Sequence, residues 1–221
     1  RLNITNNYNL YCIDVDDASW STANWYYLLD PWATFSNDCQ ISVFGCTDST
    51  NINYDPSASV NDGSCYYAKT YVPDDIFEAW LESMQMGDGI VNNDSVYSHL
   101  ISSKTSLYIR PYNGLITDLT GIEDFDSLKT LYCSNNQLTT LDVSQNTALS
   151  YLYCNNNQLT TLDLSQNTAL SSLNCSYNQL TTLDLRNGNN INMYSWRLNI
   201  TNNYNLYCID VDDASWSTAN W

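Results

Sequence analysis

Residues 128–190 read LKTLYCSNNQLTTLDVSQNTA, LSYLYCNNNQLTTLDLSQNTA and LSSLNCSYNQLTTLDLRNGNN, three near-identical copies of a 21-residue unit. Residues 191–211, INMYSWRLNITNNYNLYCIDV, align as a degenerate fourth copy. On that alignment Cys133, Cys154, Cys175 and Trp196 fall 21 residues apart, as do Asn136, Asn157, Asn178 and Asn199. Each copy is itself two halves, such as LSYLYCNNNQ and LTTLDLSQNTA, both reading L-x-x-L-x-(L/C)-x-x-N. Side chains alternate across an extended strand, so each half predicts a short strand with an inward pair: Leu152 and Cys154 in one half, Leu162 and Leu164 in the other. One such unit cannot bury its apolar faces alone, whereas stacked neighbours can.

The pattern is that of leucine-rich repeats, and the copies resemble the nested 21-residue class of bacterial extracellular leucine-rich repeats. The expected fold is a mostly β solenoid with two short parallel sheets around a narrow leucine core, flattened and weakly curved. Upstream, Asp74–Met86 (DDIFEAWLESMQM) places Ile76, Phe77, Trp80, Leu81 and Met84 on one helical face. Pro73, Asp74 and Asp75 are helix-start signals, and Glu78 is placed to complete a capping box. Leu107 and Ile109 then read as a first strand. This stretch resembles the N-terminal cap of the same family. Downstream, Leu206, Ile209 and Val211 fit a last, shortened coil, and Cys12–Cys39 resembles the family's C-terminal cap.

Residues Arg1–Trp25 (RLNITNNYNLYCIDVDDASWSTANW) recur without a difference at Arg197–Trp221, an offset of 196 residues. The chain therefore reads as a window on a longer periodic polypeptide. It carries 24 Asp+Glu against 7 Lys+Arg and one His, a net charge of −17. Without the recurrence's three acids, one base and one cysteine, a unit holds 21 acidic and 6 basic residues, a net charge of −15 and seven cysteines. Such an acidic chain repels phosphate backbones, which excludes nucleic-acid binding. No apolar run approaches the roughly eighteen residues needed to span a bilayer. The expected segments are 1–43, the end of a solenoid with its cap; 44–67, a small stapled module; 68–104, a linker and helical cap; and 105–221, the repeats.

The cysteines fall into two kinds. Cys133, Cys154 and Cys175 alternate with ladder leucines and are expected as small buried thiols, since no His or Cys pairs accompany them as metal ligands would require. Strand geometry fits disulfides between them poorly. Cys12, Cys39, Cys46 and Cys65 lie in loop-rich segments, as disulfides of an oxidising compartment do. Gly45–Cys65 (GCTDSTNINYDPSASVNDGSC) resembles a short module, G-C-T-D…N-Y-x-P-x-A…D-G-S-C, common in secreted multi-domain bacterial surface proteins. It departs from that pattern at Asn51, where the family has a small apolar residue. Four cysteines allow three connectivities; adjacency and the resemblance imply Cys12–Cys39 and Cys46–Cys65. Cys208 copies Cys12, and its expected partner lies past residue 221, so it is expected to look unpaired here. Asp48, Asn53, Asp55, Asn61 and Asp62 offer hard oxygen ligands, so calcium is a candidate cofactor, with Asx turns as the structural alternative.

Catalysis is hard to assemble. The one imidazole, His99, lies beside the helical cap with no nucleophile elbow or metal-ligand spacing around it, so no enzymatic activity is expected. One sheet is expected to expose Tyr132, Tyr151, Tyr153, Asn155, Asn174 and Ser176, a surface suited to stacking on sugars or anchoring a protein; plain cross-strand packing is the alternative. The other should expose Thr140/Asp142, Thr161/Asp163 and Thr182/Asp184, carboxylates stacked about 4.8 Å apart that repel unless hydrogen-bonded or bridged. The Asn136/Asn157/Asn178/Asn199 series is expected to satisfy buried turn backbone.

Ser49, Ser95 and Ser127 follow aspartates in a pattern resembling the O-glycan signal of secreted proteins from such bacteria, and Asn3, Asn93 and Asn174 head N-x-S/T sequons. From all this the expected function is a structural subunit of an extracellular bacterial fibre, stalk or filament built from 196-residue units, with copies of itself as partner. The alternative is an adhesin that recognises a glycan or a surface protein through its Tyr/Asn sheet. Either is placed outside the cell or on its surface.

Overall fold

The computed structural model describes residues 6, 10, 12–25, 27, 29–31, 33–37, 39, 42–109 and 115–220. Packing divides the chain into two units, Arg1–Cys65 and Tyr66–Trp221. The sequon Asn3 lies outside the described residues.

In the first unit β1 (Cys12–Asp14) pairs in parallel with β2 (Thr34–Ser36). Between them runs α1 (Ala18–Trp25), started by Asp17, whose carboxylate accepts the Trp20 amide at 2.9 Å and so satisfies an orphan helix N–H. Trp25 packs on Phe35, ring centroids 5.9 Å apart, and Phe35 is buried. The stapled module contributes a short parallel pair, β3 (Phe44–Gly45) and β4 (Val60–Asn61). Cys12 is bonded to Cys39 and Cys46 to Cys65, with Cα separations of 5.7 and 4.7 Å.

The second unit begins with β5 (Lys69–Tyr71), α2 (Asp75–Ser83), β6 (Ser95–Tyr97) and the short α3 (Ser98–Ile101), β5 and β6 being antiparallel. Helix α2 buries Phe77, Trp80 and Leu81. Met84 does not join that face: the helix ends at Ser83, Gln85 turns to φ 57°, and Met86 is buried instead while Met84 is 54% exposed. Nor does Glu78 close a capping box. It is fully buried and accepts the amides of Asn93 (3.1 Å) and Asp94 (3.3 Å), holding the returning loop. Asp74 is the N-cap: its Oδ1 accepts the Ile76 and Phe77 amides, and its Oδ2 those of Thr117 and Asp118. Burial would raise the Asp74 carboxyl; the N–H groups of Thr117, Phe77 and Asp118 outweigh it and hold it below the ordinary carboxylate range. One carboxylate thus fastens the cap helix to the first coil.

From there the chain winds in stacked coils. β7 (Ser106–Tyr108), β8 (Thr130–Tyr132), β9 (Tyr151–Tyr153), β11 (Ser172–Asn174) and β13 (Leu198–Asn199) form, among the described residues, a five-stranded parallel sheet. β10 (Thr161–Asp163), β12 (Thr182–Leu185) and β14 (Cys208–Val211) form a second, three-stranded one, and α4 (Ala214–Asn220) follows. The registers Leu131↔Leu152↔Leu173 and Leu162↔Leu183 advance one 21-residue unit per strand. These leucines, with Cys133, Cys154 and Cys175, are buried in a single core that runs from Val72 to Met193. No packing boundary therefore separates the helical cap from the repeats.

The fourth coil departs from the period. Leu173 pairs with Leu198 and Asn174 with Asn199, a spacing of 25 residues. Asn199 consequently lies exposed on the outer face, and Asn203 occupies the inward position, donating to the Cys175 carbonyl and accepting the Leu180 amide, both at 3.1 Å. Trp196 is 73% exposed rather than inward like the cysteines. The four added residues belong to 3₁₀ turns at Asn190–Asn192 and Ser195–Arg197, held by Asn190, which donates to the Leu185 carbonyl and accepts the Asp212 amide. The last coil is thus longer than the repeat, not shorter, and Ile209 in it is exposed.

Candidate functional site

The inward asparagines make the turns of the coils possible. Asn157 donates to the Cys133 and Cys154 carbonyls and accepts the Leu138 amide, all within 3.0–3.1 Å; Asn178 repeats the arrangement, and Asn136 accepts the Ile116 amide and donates to the Cys133 carbonyl of its own coil. Each is preceded by a left-handed residue: Asn135, Asn156, Tyr177, and Asn202 before Asn203. A second series went unnoticed in the sequence. Asn146 and Asn167, fully buried, donate to carbonyls of the coil before, Asn167 reaching Val143 at 2.9 Å. Their signal was the N closing each second half, in SQNTA. The thiols of Cys133 and Cys175 are pushed up to about 12 by burial, and that of Cys154 also rises well above the usual range by burial. They are unreactive packing groups.

On the outer face of the five-stranded sheet, register aligns Tyr108, Tyr132, Tyr153, Asn174 and Asn199 in one column, and Thr130, Tyr151 and Ser172 in the next. Strands of a sheet lie about 4.7–4.9 Å apart, and the tyrosine rings follow that spacing. Tyr108 and Tyr132 are 4.9 Å apart at 20°, and Tyr132 and Tyr153 are 4.3 Å apart at 2°. Stacked this way, each ring covers its neighbour's face. What the column presents outward is ring edges and phenol hydroxyls. Burial and the phenol of Tyr153 beside it raise the Tyr132 phenol above its ordinary value. Tyr153 shares a hydrogen bond of 3.1 Å with Ser172. Tyr108 was missed in the sequence because its strand precedes the regular copies, although SLYI matches TLYC.

The other expected members differ in standing. Tyr151 is 39% exposed, whereas Tyr132, Tyr153, Asn155 and Asn174 are half-buried. Asn155 accepts from Ser134 at 2.6 Å, and Asn174 from Ser176 at 2.7 Å. Ser176 is buried, because its hydroxyl turns onto Asn174 at the coil corner, and so does not belong to the surface. At the end of the column, Trp196 stacks with Tyr194 and carries the Arg197 guanidinium 4.4 Å over its ring.

The outer face of the three-stranded sheet aligns Asp163, Asp184 and Asp210. Arg186 pairs with Asp184, and its hydrogen bond lowers the Asp184 carboxyl. The equivalent stretch of the first coil, residues 138–143, forms no strand. Beside it lies a depression of about 610 Å³ whose lining includes Asp118, Glu123, Asp142 and Asp163.

In the stapled module Asp48, Asp55, Asn61 and Asp62 each accept an amide two residues on, as Asx turns do, and Asn53 donates to the Ser64 carbonyl. Among the described residues the one cluster of three acids close enough to share an ion is Asp75, Glu78 and Asp94, outside the module. The modification candidates are also unequal. Ser49 is exposed and Ser127 half-buried. Ser95 and Asn93 are bound to Asp88, which is itself salt-bridged to Lys69 at 2.6 Å. His99 stacks on Tyr67 at 4.4 Å. No helix among the described residues is long and apolar enough to cross a membrane.

Over 120 residues the chain is 34% identical to Internalin J of Listeria monocytogenes serotype 4b (strain F2365), a match covering 54% of this chain and 12% of that protein. The chain thus spans about an eighth of the length of the curated relative it matches. The solved functional domain of InlJ from Listeria monocytogenes, described as including a cysteine ladder, matches 66% of this chain and 38% of that one, with 28% identity and a TM-score of 0.42. No family model matches the chain.

Proposed function

We propose that this chain is part of a bacterial surface or secreted protein, a leucine-rich-repeat solenoid of the 21-residue class whose work is recognition of a protein partner through the Tyr108–Tyr132–Tyr153 face. The carrying observation is the ring stacking, with centroids 4.3–4.9 Å apart. Sugars bind aromatic side chains through open ring faces, and here the central ring, Tyr132, has a ring neighbour on each face. Edges, hydroxyls and the exposed Tyr151 suit a protein surface, where tyrosines act as anchors with one apolar and one polar end. The stack also holds the rings in place before binding, which lowers the ordering cost of association. The likeness to Internalin J supports a bacterial leucine-rich-repeat surface protein, without naming a partner. The test is a paired screen on surface-protein and glycan arrays with the chain and its Tyr132→Ala/Tyr151→Ala/Tyr153→Ala variant. A protein hit lost in the variant supports the reading; a hit the variant retains, or a glycan hit alone, rejects it.

The fibre reading rests on one separate observation, the identical recurrence of Arg1–Trp25, which recognition by a single unit does not require. Electron microscopy of the secreted protein distinguishes it: repeating filaments support it, and isolated particles made from a gene of one unit reject it.

A further inference from the structure

The charges of the coils are segregated between the two sheets. The stretches that carry the tyrosine sheet and its turns, residues 103–109, 128–138, 149–159, 170–180 and 195–203, contain no Asp or Glu and three bases, Lys104, Lys129 and Arg197. The complementary stretches, 139–148, 160–169, 181–190 and 204–213, contain six acids and one base, Arg186. The tyrosine side is therefore locally positive in a chain whose net charge is −17.

The three bases border the same end of the parallel strands. Lys129 is exposed and stands one residue before β8, its amide donating to the Thr105 carbonyl at 2.9 Å and its carbonyl accepting the Ser150 and Tyr151 amides. Arg197 stands one residue before β13; its carbonyl accepts the Ser172 hydroxyl at 3.4 Å and its guanidinium lies over Trp196. Lys104 stands two residues before β7. Among the described residues none of the three is ion-paired, the basic partners of the two ion pairs there being Lys69 and Arg186.

We infer that the Tyr108–Tyr132–Tyr153 face takes an acidic segment of its protein partner, whose Asp and Glu carboxylates accept from the phenol hydroxyls and pair with Lys129 and Arg197. This rests on the recognition reading above and adds the chemistry of the partner. Phenols keep their protons at neutral pH, and burial holds the Tyr132 proton more firmly still. An ionised carboxylate only accepts, so it complements phenol, ammonium and guanidinium donors together; a basic segment complements none of them. A guanidinium held over an indole keeps its N–H edge for a carboxylate. The carboxylates of the other sheet do not cancel this attraction. At physiological salt charges are screened over about 8 Å, and the outer faces of two sheets packed about 10 Å apart lie further from each other than that.

The test pans the full chain against a phage library of random dodecapeptides at about 0.15 M salt. The Tyr132→Ala/Tyr151→Ala/Tyr153→Ala and Lys129→Glu/Arg197→Glu variants serve as counter-targets. Clones that bind the native chain and not the tyrosine variant are expected to be enriched in Asp and Glu. A synthetic peptide from such a clone, followed by fluorescence anisotropy, should lose about tenfold in affinity, roughly 1.4 kcal/mol, on the charge-reversed variant. It should lose as much on the native chain when its own acids are changed to Gln and Asn. That second arm leaves the chain unaltered, so it decides even where a variant unfolds. Tyrosine-dependent clones that are neutral or basic, or peptides indifferent to both charge changes, overturn the inference and leave recognition through the face intact. Clones that bind the tyrosine variant equally well reject the face itself, and the inference with it. Tyrosine-dependent capture of sialylated or sulfated glycans with no peptide clone also overturns it.

Discussion

The two sheets of the coil stack share one interior and have opposite exteriors. Both turn leucines inward at the same period, yet the tyrosine sheet has five strands and the aspartate sheet three among the described residues. Stacked phenol rings attract, by about 0.5–1.5 kcal/mol per pair beyond their buried area. Stacked carboxylates repel, and in the aspartate sheet Arg186 supplies a countercharge at Asp184. Where the first coil presents Asp142, no strand forms. The comparison teaches that leucine spacing sets the coil, while the residues facing outward decide what each sheet can meet.

The interior should prove symmetric. Leu152→Ala and Leu162→Ala each remove a buried leucine, 0% and 2% exposed, and each should cost about 2–5 kcal/mol in urea unfolding. A cost at Leu162 less than half that at Leu152 would break the symmetry. The asparagines come next. Asn157→Ala strands the Leu138 amide and two carbonyls, so about 2–3 kcal/mol is expected. Asn167→Ala releases only two carbonyls and should cost about half as much; equal losses would contradict the assigned bonding.

The exteriors should respond differently to acid. Arg186 holds the Asp184 carboxyl below its unfolded value. That stabilisation is present above about pH 4, the unfolded range, and is lost as pH falls through the lower folded value. Arg186→Gln should lower the Tm at pH 7 and shrink the gap from wild type as pH falls to 3. A gap independent of pH would remove the ion pair from the account. The smallest effect is expected at Tyr177, left-handed at φ 54° where the preceding coils have asparagine. Tyr177→Asn relieves an unfavourable backbone region and should stabilise by about 0.5 kcal/mol; destabilisation would place Tyr177 in a contact that matters.

The repeats made much of the fold legible, because three near-identical copies determine register wherever the spacing is constant. Legibility ended where spacing changed. The fourth coil's extra residues moved the inward amide from Asn199 to Asn203, and a gapless alignment has no means of seeing an insertion. Met84 and Met86 exchanged places because the helix end, not the helical period, set their direction. Of the candidate face, Tyr132, Tyr151 and Tyr153 followed from alternation. The stacking of the rings did not, since it depends on side-chain rotation within the ladder. The aspartates of the stapled module could be read as ligands or as turns, and each accepts an amide two residues on.

The most direct test uses a protein partner identified by array and compares Kd for variants of the two outer faces. Tyr132→Ala and Tyr153→Ala should each weaken binding by about tenfold or more, roughly 1.4 kcal/mol, while Thr161→Ala and Asp163→Ala on the aspartate sheet leave it unchanged. Full affinity in the tyrosine variants, or loss confined to the aspartate sheet, would contradict the account.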